Sequence, residues 1–547
     1  MNILGISGAI RAGNHDGAAV LIKDGKIEFA SEEERYLKIK HAPGFLPEYA
    51  IRRCLKESKL GIKDIDLVVF PGKSYQNIKF ILKKYFYYKF GYAPKIKLID
   101  HHFAHASSSY FMSGFKESFV ITADLSGDSR STVIFYAKDC CLKEIKFFPK
   151  PNSLGIFYAL ITQFLGFKYN NDEYKAMALA GYGKPSLDLS WLLDFKRGDY
   201  RLNLRYVDAR FRSQRSNPSE QEPIFKDVFL KKVGFSPKSC FDSFSKKHKN
   251  LAASAQKVLE NVYLSLIDGL AEDGNKINLC LAGGLSLNTE VNSKIYYSGK
   301  VKNLFIQPVA SDAGLALGGA IYYSLKHGDF KPHRLRNVYL GSRYGNGYIK
   351  KTLDNLGIKY KFIENIENVI ASALSKGKIV ALFRGRMEYG PRSLGNRSIL
   401  ADPRNRNSRD KLNKVIKTRE DFQPFAPAVI EECFEDFFIA SPKCNANLEF
   451  MVLNVKVKPG IEKNIPAVVH VNGTSRVQIV RKSINIRFYS ILEEFSRRTG
   501  IPVLLNTSLN TKGVPIAENP QQALAVFYST AIDSMAIGDF WIEKYGT

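Results

Sequence analysis

The chain has 547 residues, which at roughly 100–200 residues per domain indicates two or three domains. Hydrophobic residues make up 45% and aromatic residues 12%, which excludes an intrinsically disordered chain. Lys and Arg total 80 against 53 Asp and Glu, a net charge of +27, which favours polyphosphates, nucleic acids or anionic surfaces as partners. No apolar run reaches the roughly 18 residues of a membrane span, and the opening residues lack the pattern of a signal peptide, so we expect a cytoplasmic protein without a membrane partner.

Two stretches of similar pattern predict a repeated strand–turn–strand unit. A strand at 3–7 precedes a Gly-rich turn and a hairpin over 18–30 with an Asp-Gly turn. Residues 118–123 lead through another Gly- and Asp-containing turn into a strand at 131–137. This pattern resembles the duplicated halves of the ASKHA superfold, shared by acetate kinase, sugar kinases, Hsp70 and actin. Periodicity alone fits two unrelated hairpins equally well.

Residues 79–97 interleave lysines with aromatic side chains. Such a stretch can hold single-stranded nucleic acid. Its spacing is more typical of an amphipathic helix that buries its Phe and Tyr side chains, so we do not expect nucleic acid as a partner.

Further elements follow from periodicity and composition. Apolar spacing predicts helices at 47–58 and 251–271 and strands at 65–70 and 277–281. The polar segment 205–245 is typical of a surface excursion. The pattern is lost over 325–347, where Gly and basic residues accumulate. We therefore expect two domains, 1–345 and 346–547.

His101 and His105 are four residues apart, so on a helix both imidazoles share one face and can reach one metal ion. Asp124 and Asp312 each lie in a predicted turn. Two imidazoles with two carboxylates suit iron(II) or manganese better than structural zinc. By itself the spacing also fits a structural histidine pair.

Two groups of residues outside this set predict anion sites. Gly283 and Gly284 follow the strand at 277–281 and permit close approach of a phosphate or adenosine, although tight helix packing uses the same residues. The C-terminal part concentrates guanidinium and ammonium groups, which suit phosphates and carboxylates. These side chains belong to Arg384, Arg386, Arg392, Arg397, Lys414, Lys417 and Arg419, with small polar groups at Asn506 and Ser508. A solvated loop is the alternative for each segment.

Taken together, these residues resemble the O-carbamoyltransferases of antibiotic and nodulation-factor biosynthesis over nearly the whole chain. The segments that carry the resemblance are Asn14-His15-Asp16, Glu33-Glu34-Arg35, Lys40-His41, His101-His102-Phe103-Ala104-His105, Glu173-Tyr174-Lys175, Gly283-Gly284 with Asn288, Ser311-Asp312-Ala313-Gly314, Gly390 to Arg397, Gln423 to Pro427, His470 to Thr474 and Leu505 to Ser508.

The resemblance implies an α/β (α+β) enzyme of two domains. The N-terminal domain would be TsaD-like, of the duplicated ASKHA type, and would hold Fe2+, with Mn2+ as the alternative. The C-terminal domain would be YrdC-like and would form carbamoyl-adenylate from carbamoyl phosphate and ATP, with Mg2+. A hydroxyl of a small molecule or saccharide would then accept the carbamoyl group in the N-terminal domain. Family members are often dimeric, so a homodimer is an expectation.

The resemblance also implies roles for single residues. His101, His105, Asp124 and Asp312 match metal ligands. Arg392 and Lys417 match anion-binding positions of the adenylate-forming site, and His15 is the candidate base for the acceptor hydroxyl because imidazole titrates near neutrality. Substrate or cofactor contacts are expected from Lys40, Glu173, Lys175, Gly283, Gly284, Asn288, Arg386, Asn396, Arg419, Asn506 and Ser508.

One departure from the family pattern bears on phosphate binding. Gln423 stands where the family usually has Arg, so we expect weaker binding unless Arg419 compensates. Two alternatives to the carbamoyltransferase prediction remain open at this point. The chain could be a tRNA threonylcarbamoylation enzyme, or a nucleic-acid or polyanion-binding protein with a degenerate site.

Overall fold

The computed structural model describes residues 1–9, 15–208, 224–239, 242–271 and 275–544. Asn14, a residue of the first motif, lies outside these ranges, as does part of the segment 205–245. The described chain divides into two compact units. The first unit comprises Met1–Glu28, Ala42–Leu335 and Ser441–Asn447, and the second comprises Phe29–His41, Arg336–Ala440 and Leu448–Thr547.

The strands of the first unit occur in two groups along the chain. The described strands are β1 Asn2–Ser7, β2 Ala18–Lys23, β3 Lys26–Glu32, β4 Leu67–Pro71, β5 Ile96–Ile99, β6 Glu117–Gly127, β7 Arg130–Lys138, β8 Cys141–Pro149, β9 Leu193–Lys196, β10 Asp199–Leu202, β11 Ile277–Ala282 and β12 Val301–Ile306. The chain passes into the second unit within β3. Strands β9 and β10 form a separate hairpin.

The two main sheets of the first unit repeat one topology. Among the described strands, the first sheet has the order β3-β2-β1-β4-β5 and the second contains the order β8-β7-β6-β11-β12. In each sheet the central first strand (β1 or β6) pairs antiparallel with the strand that follows it in the chain. On its other side it pairs parallel with a later strand. This repetition confirms the predicted duplication, which periodicity alone left open.

Helices cover the sheets of the first unit. The chain carries α1 Glu34–Leu37, which belongs to the second unit, and then α2 Glu48–Glu57, α3 Ile78–Phe90, α4 His101–Tyr110, α5 Leu154–Phe164, α6 Glu173–Ala180, α7 Asp227–Val233, α8 Lys246–Asp268, α9 Thr289–Tyr297 and α10 Ala313–Lys326. Strand β4 is buried at every position, which explains its continuous apolar sequence. Predicted and observed elements agree within a few residues at 47–58, 65–70, 251–271 and 277–281.

The second unit is built around one large mixed sheet. Its strands are β13 Tyr339–Arg343, β14 Lys361–Phe362, β15 Val380–Phe383, β16 Arg386–Glu388, β17 Arg397–Ala401, β18 Ala426–Ile430, β19 Phe438–Ile439, β21 Val455–Val457, β22 Thr474–Ser475, β23 Gln478–Val480, β24 Val503–Ser508, β25 Ser534–Ile537 and β26 Phe540–Glu543, while β20 Asn445–Ala446 pairs with β12 in the first unit. The large sheet has the described order β14-β26-β25-β15-β17-β24-β18-β23.

The second unit also contains the helices α11 Asn346–Asn355, α12 Ile366–Ser375, α13 Arg406–Lys411, α14 Phe434–Phe437, α15 Ile486–Thr499 and α16 Pro520–Tyr528. Helices α12 and α15 pack against the large sheet through apolar faces. Ile366, Ile370 and Leu374 of α12 join Phe488, Leu492 and other apolar side chains in one buried core. Within the described residues, no helix has both the length and the apolarity of a bilayer span.

The observed units differ in detail from the predicted division at 345 and 346. Residues 29–41, which include Lys40, belong to the second unit, although the prediction assigned them to the N-terminal domain. Residues 441–447 belong to the first unit because β20 pairs with β12. A boundary drawn once along the chain cannot describe units whose segments interleave.

Candidate functional site

Helix α4 carries the predicted histidine pair, and its N-terminus is fixed by two carboxylates. Asp100 caps the helix by accepting a hydrogen bond from the backbone N–H of Phe103 at 2.9 Å. Asp128 accepts from the backbone N–H of His101, also at 2.9 Å. These bonds satisfy donors that the first helical turn leaves unpaired and set the direction in which the imidazoles project.

Helix α10 brings Asp312 to the same place. Asp312 directly precedes α10, and Gly318 of that helix lies against α4. A Cβ atom at Gly318 would be 1.8 Å from the carbonyl oxygen of Ala104, so only glycine permits this approach. The close packing of α10 on α4 places the Asp312 carboxylate opposite the two imidazoles.

Asp124 completes the set from strand β6. Its Oδ1 accepts a hydrogen bond of 3.0 Å from the backbone N–H of Gly284. Gly283 has φ +87°, and a Cβ there would be 2.4 Å from the Ala123 carbonyl oxygen. The predicted glycine pair therefore packs against β6 and orients Asp124, a structural reason for glycine that the sequence analysis left open.

His101, His105, Asp124 and Asp312 form what we call the histidine–aspartate cluster. One ligand atom from each lies within 4.8 Å of those of the others. His105 Nε2 is 2.9 Å from Asp124 Oδ2 and 3.6 Å from Asp312 Oδ1. His101 Nε2 is 3.4 Å and 3.7 Å from the same two atoms. The four side chains thus converge on one point.

The donors of this cluster fit a divalent metal ion. Both ring nitrogens of His105 are buried, and within the described part of the chain neither has a hydrogen-bond partner. The 2.9 Å separation from Asp124 therefore lacks hydrogen-bond alignment, as expected when donors point to a common centre. His102 does not take part in this cluster, because its Nδ1 lies 2.9 Å from Thr122 Oγ1.

The charges within the histidine–aspartate cluster stabilise one another. Burial raises the pKa of Asp124, but contacts with His101 and His105 outweigh burial and hold that pKa below its usual range. Burial lowers the pKa of His105, whereas the carboxylates of Asp124 and Asp312 raise it to about 9. Asp124 thus remains ionised at neutral pH.

His15 lies beside this cluster. Its Nδ1 is 3.1 Å from Asp16 Oδ2. Burial lowers the pKa of His15, whereas Asp16, with a smaller contribution from Asp312, raises it to about 10. At neutral pH the imidazole is therefore mainly protonated, and its role as a base stays a prediction.

The segment that carries Glu173 and Lys175 also lies near His15. Glu173 accepts a hydrogen bond from the backbone N–H of Asn170, and burial raises the pKa of its carboxyl group. Asn170 in turn interacts with His15. Lys175 Nζ forms an ion pair of 3.1 Å with Asp172. The structure thus brings His15 and Glu173 to one region, whereas Lys40 belongs to the second unit.

Asn288 has a local structural role. It caps α9 by accepting from the backbone N–H of Val291 at 3.0 Å. Its amide also exchanges two hydrogen bonds with Gln256, at 2.9 and 3.1 Å. These contacts engage both the amide nitrogen and the amide oxygen of Asn288, which was predicted to contact a cofactor. The local hydrogen bonds are a sufficient structural reason for asparagine at this position.

In the second unit, several basic side chains lie close enough together to lower one another's pKa values. Arg392, Lys417, Arg419 and Arg476 form what we call the cation cluster. Burial, then Arg392 and Arg419, hold the pKa of Arg476 well below its usual range. Burial and then Arg419 lower the pKa of Lys417. Each depression has the sign expected when like charges share a site.

Lys417 connects this cluster to the end of β24. It follows a π-helical turn, Leu412–Ile416, and its Nζ lies in a nest of oxygen atoms. Nζ donates to the carbonyl and side-chain oxygens of Asn510, at 2.8 and 2.7 Å, and to the carbonyl oxygen of Ser508. The structure therefore brings Lys417 and Ser508 together, as predicted. The Lys417 ammonium group donates the hydrogen bonds that fix the end of β24.

Asn506 presents an unused acceptor in the same region. Its Nδ2 donates to Gln478 Oε1 at 2.8 Å and to the Ser393 carbonyl oxygen at 3.2 Å. Its Oδ1 is buried, and no described residue donates a hydrogen bond to it. A carbamoyl amide group offers two N–H donors, so this oxygen fits the contact predicted for Asn506.

Arg386 and Asn396 instead hold the framework. Arg386 Nε donates to the Gly341 carbonyl oxygen at 3.1 Å, which links β16 to β13. Asn396 Nδ2 donates to the Arg386 carbonyl oxygen at 2.7 Å, and Asn396 Oδ1 accepts from Asn485 at 3.1 Å. These bonds give both residues a structural role that needs no bound cofactor. The motif alone could not indicate this role.

Arg419 and Gln423 are both engaged locally. The Arg419 guanidinium lies 4.4 Å from the centre of the Phe425 ring and donates from Nε to Asn413 Oδ1 at 2.7 Å. The Gln423 amide donates to Glu420. The position that usually carries Arg in the family is therefore next to a carboxylate here.

Arg476 and His470 belong to the site but were not predicted as site residues. The Arg476 Nε and His470 Nε2 atoms are buried, and no described residue forms a hydrogen bond with either. Burial, Arg476 and then Arg409 lower the pKa of His470 to about 3. His470 stood in a recognised motif, whereas Arg476 lies just beyond it and has no distinctive spacing. A search for buried basic residues beside a motif would have found it.

Two protein-family models match most of the chain. A family model described as Carbamoyltransferase N-terminus matches residues 2–93 and 75–321. A second, described as Carbamoyltransferase C-terminus, matches residues 371–544. Together they cover both units of the chain.

Two curated relatives and one solved structure place the match in context. Nodulation protein NolNO of Sinorhizobium fredii is 33% identical over 97% of this chain and 79% of its own. The 3'-hydroxymethylcephem-O-carbamoyltransferase of Streptomyces clavuligerus is 30% identical over 68% of this chain and 65% of its own. Component A of the (R)-2-hydroxyglutaryl-CoA dehydratase of Acidaminococcus fermentans covers 59% of this chain and 97% of its own, with 15% identity and a TM-score of 0.34. On the family matches and the first relative, this chain belongs to the carbamoyltransferase family.

Proposed function

We propose that the protein is an ATP-dependent O-carbamoyltransferase that acts in two half-reactions. The second unit would form carbamoyl-adenylate from carbamoyl phosphate and ATP, and the first unit would transfer the carbamoyl group to a hydroxyl. The observation that carries this proposal is the cation cluster together with the neighbouring His470. No described residue forms a hydrogen bond with the buried Arg476 Nε or His470 Nε2 atom. Buried basic groups that depress one another's pKa values are stabilised by a bound polyanion.

The proposed reactions balance as follows. Carbamoyl phosphate and one water give carbamate and inorganic phosphate, and a carbamate oxygen attacks the α-phosphorus of ATP while pyrophosphate leaves. The acceptor hydroxyl oxygen then forms a bond to the carbamoyl carbon, the bond to AMP breaks, and the hydroxyl proton goes to a base. Carbamate and its adenylate are labile in water, so enclosure would protect them.

The residues of the second unit would act as follows. Arg392, Arg419 and Arg476 would offset the negative charge of the phosphates. Lys417 would keep the end of β24 in place through its bonds to Ser508 and Asn510. Asn506 would accept a hydrogen bond from the carbamoyl amide at its buried Oδ1. Mg2+ would accompany ATP as part of the co-substrate.

The histidine–aspartate cluster would hold Fe2+, with Mn2+ as the alternative. The convergence of two imidazoles and two carboxylates on one point supports this assignment. A divalent ion bound there would supply Lewis-acid stabilisation of negative charge on a phosphate or carbamoyl oxygen. His101 and His105 would keep their ring orientation through α4, and Gly284 would hold Asp124.

His15, in the fraction of molecules in which its imidazole is neutral, would receive the proton of the acceptor hydroxyl. Because Asp16 stabilises the imidazolium, a neutral His15 is a stronger base than a free imidazole. The acceptor would be a hydroxyl-bearing small molecule or saccharide. The Streptomyces clavuligerus relative is named for a hydroxymethyl acceptor, which supports an alcohol as the nucleophile here.

The first half-reaction is testable without knowledge of the acceptor. Purified protein with ATP, Mg2+ and carbamoyl phosphate should release pyrophosphate and phosphate, and mass spectrometry should detect carbamoyl-adenylate. Arg392→Ala should lower pyrophosphate release by about ten-fold to a hundred-fold, because one charge-assisted contact is lost. Lys417→Ala should lower it at least as much, because the end of β24 loses its anchor.

Arg497→Ala is the matched control, because Arg497 is exposed and pairs only with nearby glutamates of α15 in the contacts described. It should retain wild-type release. Pyrophosphate release that does not depend on carbamoyl phosphate, or that survives Arg392→Ala unchanged, would show that the second unit does not form the adenylate.

A further inference from the structure

Helix α3 buries one row of side chains and leaves a second aromatic row exposed. Ile78, Leu82 and Phe86 face the core. On the opposite side, Phe80 is 58% exposed and Tyr88 is 83% exposed. The sequence predicted that this helix buries its aromatic side chains, and that prediction is wrong for this face. Large exposed aromatic groups grouped on one helix face indicate an interaction surface.

The chain segment that contains this face is strongly positive. The sequence contains no Asp or Glu between Asp66 and Asp100. Over that stretch the exposed ammonium groups belong to Lys73, Lys79, Lys83, Lys84, Lys95 and Lys97. Lys89 is paired with Glu48 at 2.8 Å, so it contributes less to the field. The surface therefore combines exposed apolar area with uncompensated positive charge.

Lysine and aromatic side chains alternate in contact on this surface. Lys84 Nζ lies 4.4 Å from the centre of the Phe80 ring. Ile81 and Tyr87 flank this pair and are 41% and 71% exposed. Because residues three and four apart are neighbours on a helix, Phe80, Lys84 and Tyr87 form one continuous strip opposite the buried row. We define the α3 strip as Phe80, Ile81, Lys83, Lys84, Tyr87 and Tyr88.

We propose that the α3 strip binds the surface of an anionic lipid bilayer. Phe and Ile side chains enter the boundary between headgroups and acyl chains, Tyr side chains place their hydroxyls among the headgroups, and lysines reach the lipid phosphates. Charge complementarity commits the surface to anionic rather than neutral lipid. Peripheral binding of this kind needs no membrane-spanning helix, which is why hydropathy alone predicts no membrane partner.

A helix face that projects outward fits a bilayer better than a single-stranded nucleic acid. Proteins that hold single strands stack bases on aromatic rings along a positively charged groove. Here the aromatic side chains stand on the outer side of one rod-like helix and alternate with lysines. A bilayer offers the continuous plane that such a strip can enter along its length.

Vesicle flotation tests the proposal. The full chain is mixed with vesicles of phosphatidylcholine alone or of phosphatidylcholine with phosphatidylserine, and its partition coefficient is measured. We expect binding to the anionic vesicles only, weakened by added salt. Lys83→Glu with Lys84→Glu should lower partitioning at least about tenfold, because the strip loses its charge attraction. Phe80→Ser should lower it about tenfold through lost apolar insertion.

The matched control is Lys231→Glu with Lys232→Glu on the exposed side of α7, which makes the same change in net charge. It should partition like the wild type, and circular dichroism should show that all variants are folded. Equal binding to both vesicle types, or wild-type partitioning of the Lys83/Lys84 variant, would overturn the proposal. So would tight binding of a single-stranded oligonucleotide, or a dimer dissociated by Phe80→Ser, without vesicle binding.

Discussion

The histidine–aspartate cluster and the cation cluster handle buried charge in opposite ways. In the first, imidazoles and carboxylates lie 2.9–3.7 Å apart, and these contacts outweigh burial, so the pKa of His105 rises and that of Asp124 falls. In the second, burial and then neighbouring cations lower the pKa values of Lys417 and Arg476. Imidazole and carboxylate donors that converge on one point suit a metal cation. Basic groups that lower one another's pKa values suit a polyanion.

The energetic consequences also differ. Buried ionic groups with partners are destabilised when one partner is removed, because the other is left uncompensated. Buried like charges are already unfavourable, so removal of one relieves repulsion. Substitutions in the two clusters should therefore change the free energy of unfolding in opposite directions. Each substitution should also weaken binding of the ligand proposed for its own cluster.

The largest expected effect comes from the histidine–aspartate cluster. His105→Ala should reduce bound metal from about one ion per chain to less than a tenth, because one of four converging donors is lost. His333→Gln, a change of an exposed histidine, is the control and should keep the metal. Metal analysis of protein purified without oxygen makes the measurement. Equal metal in both variants, or none in the wild type, would contradict the assignment.

A second effect sharpens the contrast within the cation cluster. Arg476→Met should lower affinity for pyrophosphate about ten-fold to a hundred-fold, because a charge-assisted contact is lost. The same change should raise the unfolding temperature in the absence of phosphate, by about 2–4 °C, because repulsion from Arg392 and Arg419 is relieved. Calorimetric titration and thermal unfolding measure both. A lower unfolding temperature together with unchanged affinity would give Arg476 a purely structural role.

A third effect is the pH dependence that His470 contributes. Its pKa is about 3 in the folded protein against about 6.5 when unfolded, so between these values the unfolded chain binds a proton that the folded chain does not. The stability from His470 is therefore complete above about pH 6.5 and is lost as the pH falls toward 3. Between pH 7.5 and 5.5, the unfolding temperature should fall less in His470→Gln than in the wild type. Parallel curves would show that His470 titrates normally.

The smallest effect concerns Gln423. An arginine placed there would meet Glu420, which already accepts from the Gln423 amide. Gln423→Arg alone should change the Michaelis constant for carbamoyl phosphate by less than about threefold, because the new charge is neutralised. Combined with Glu420→Gln, it should lower that constant by about tenfold. Additive effects of the two changes would show that the positions are not coupled.

Much of the first unit was predictable because its signals are local. The spacing of His101 and His105 is a property of one short segment, and the structure brings both together with Asp124 and Asp312. The turn predicted at Asp124 is wrong, because this residue lies within strand β6. The repeated strand–turn–strand pattern likewise follows from alternation and turn residues. Its meaning as a duplication required the sheet order, since pairing between distant strands leaves no local signal.

Other features depend on packing that the sequence does not express. Asn288, Arg386 and Asn396 stand in motifs beside predicted sites, yet their side chains complete local hydrogen bonds. Arg476 has no motif of its own and is placed by the short strands around it. The exposed face of α3 has the apolar content of a core helix, so periodicity alone assigned it to the interior.

We infer that one cluster holds a cation and the other a polyanion, independently. Calorimetric titration of His105→Ala and Arg476→Met, each with Mn2+ and with pyrophosphate, separates the two roles. We expect His105→Ala to lose Mn2+ binding and keep wild-type affinity for pyrophosphate, and Arg476→Met to show the reverse. The two clusters do not have separate roles if either substitution weakens the binding of both ligands equally. The same conclusion follows if neither substitution changes the affinity for the ligand of its own cluster.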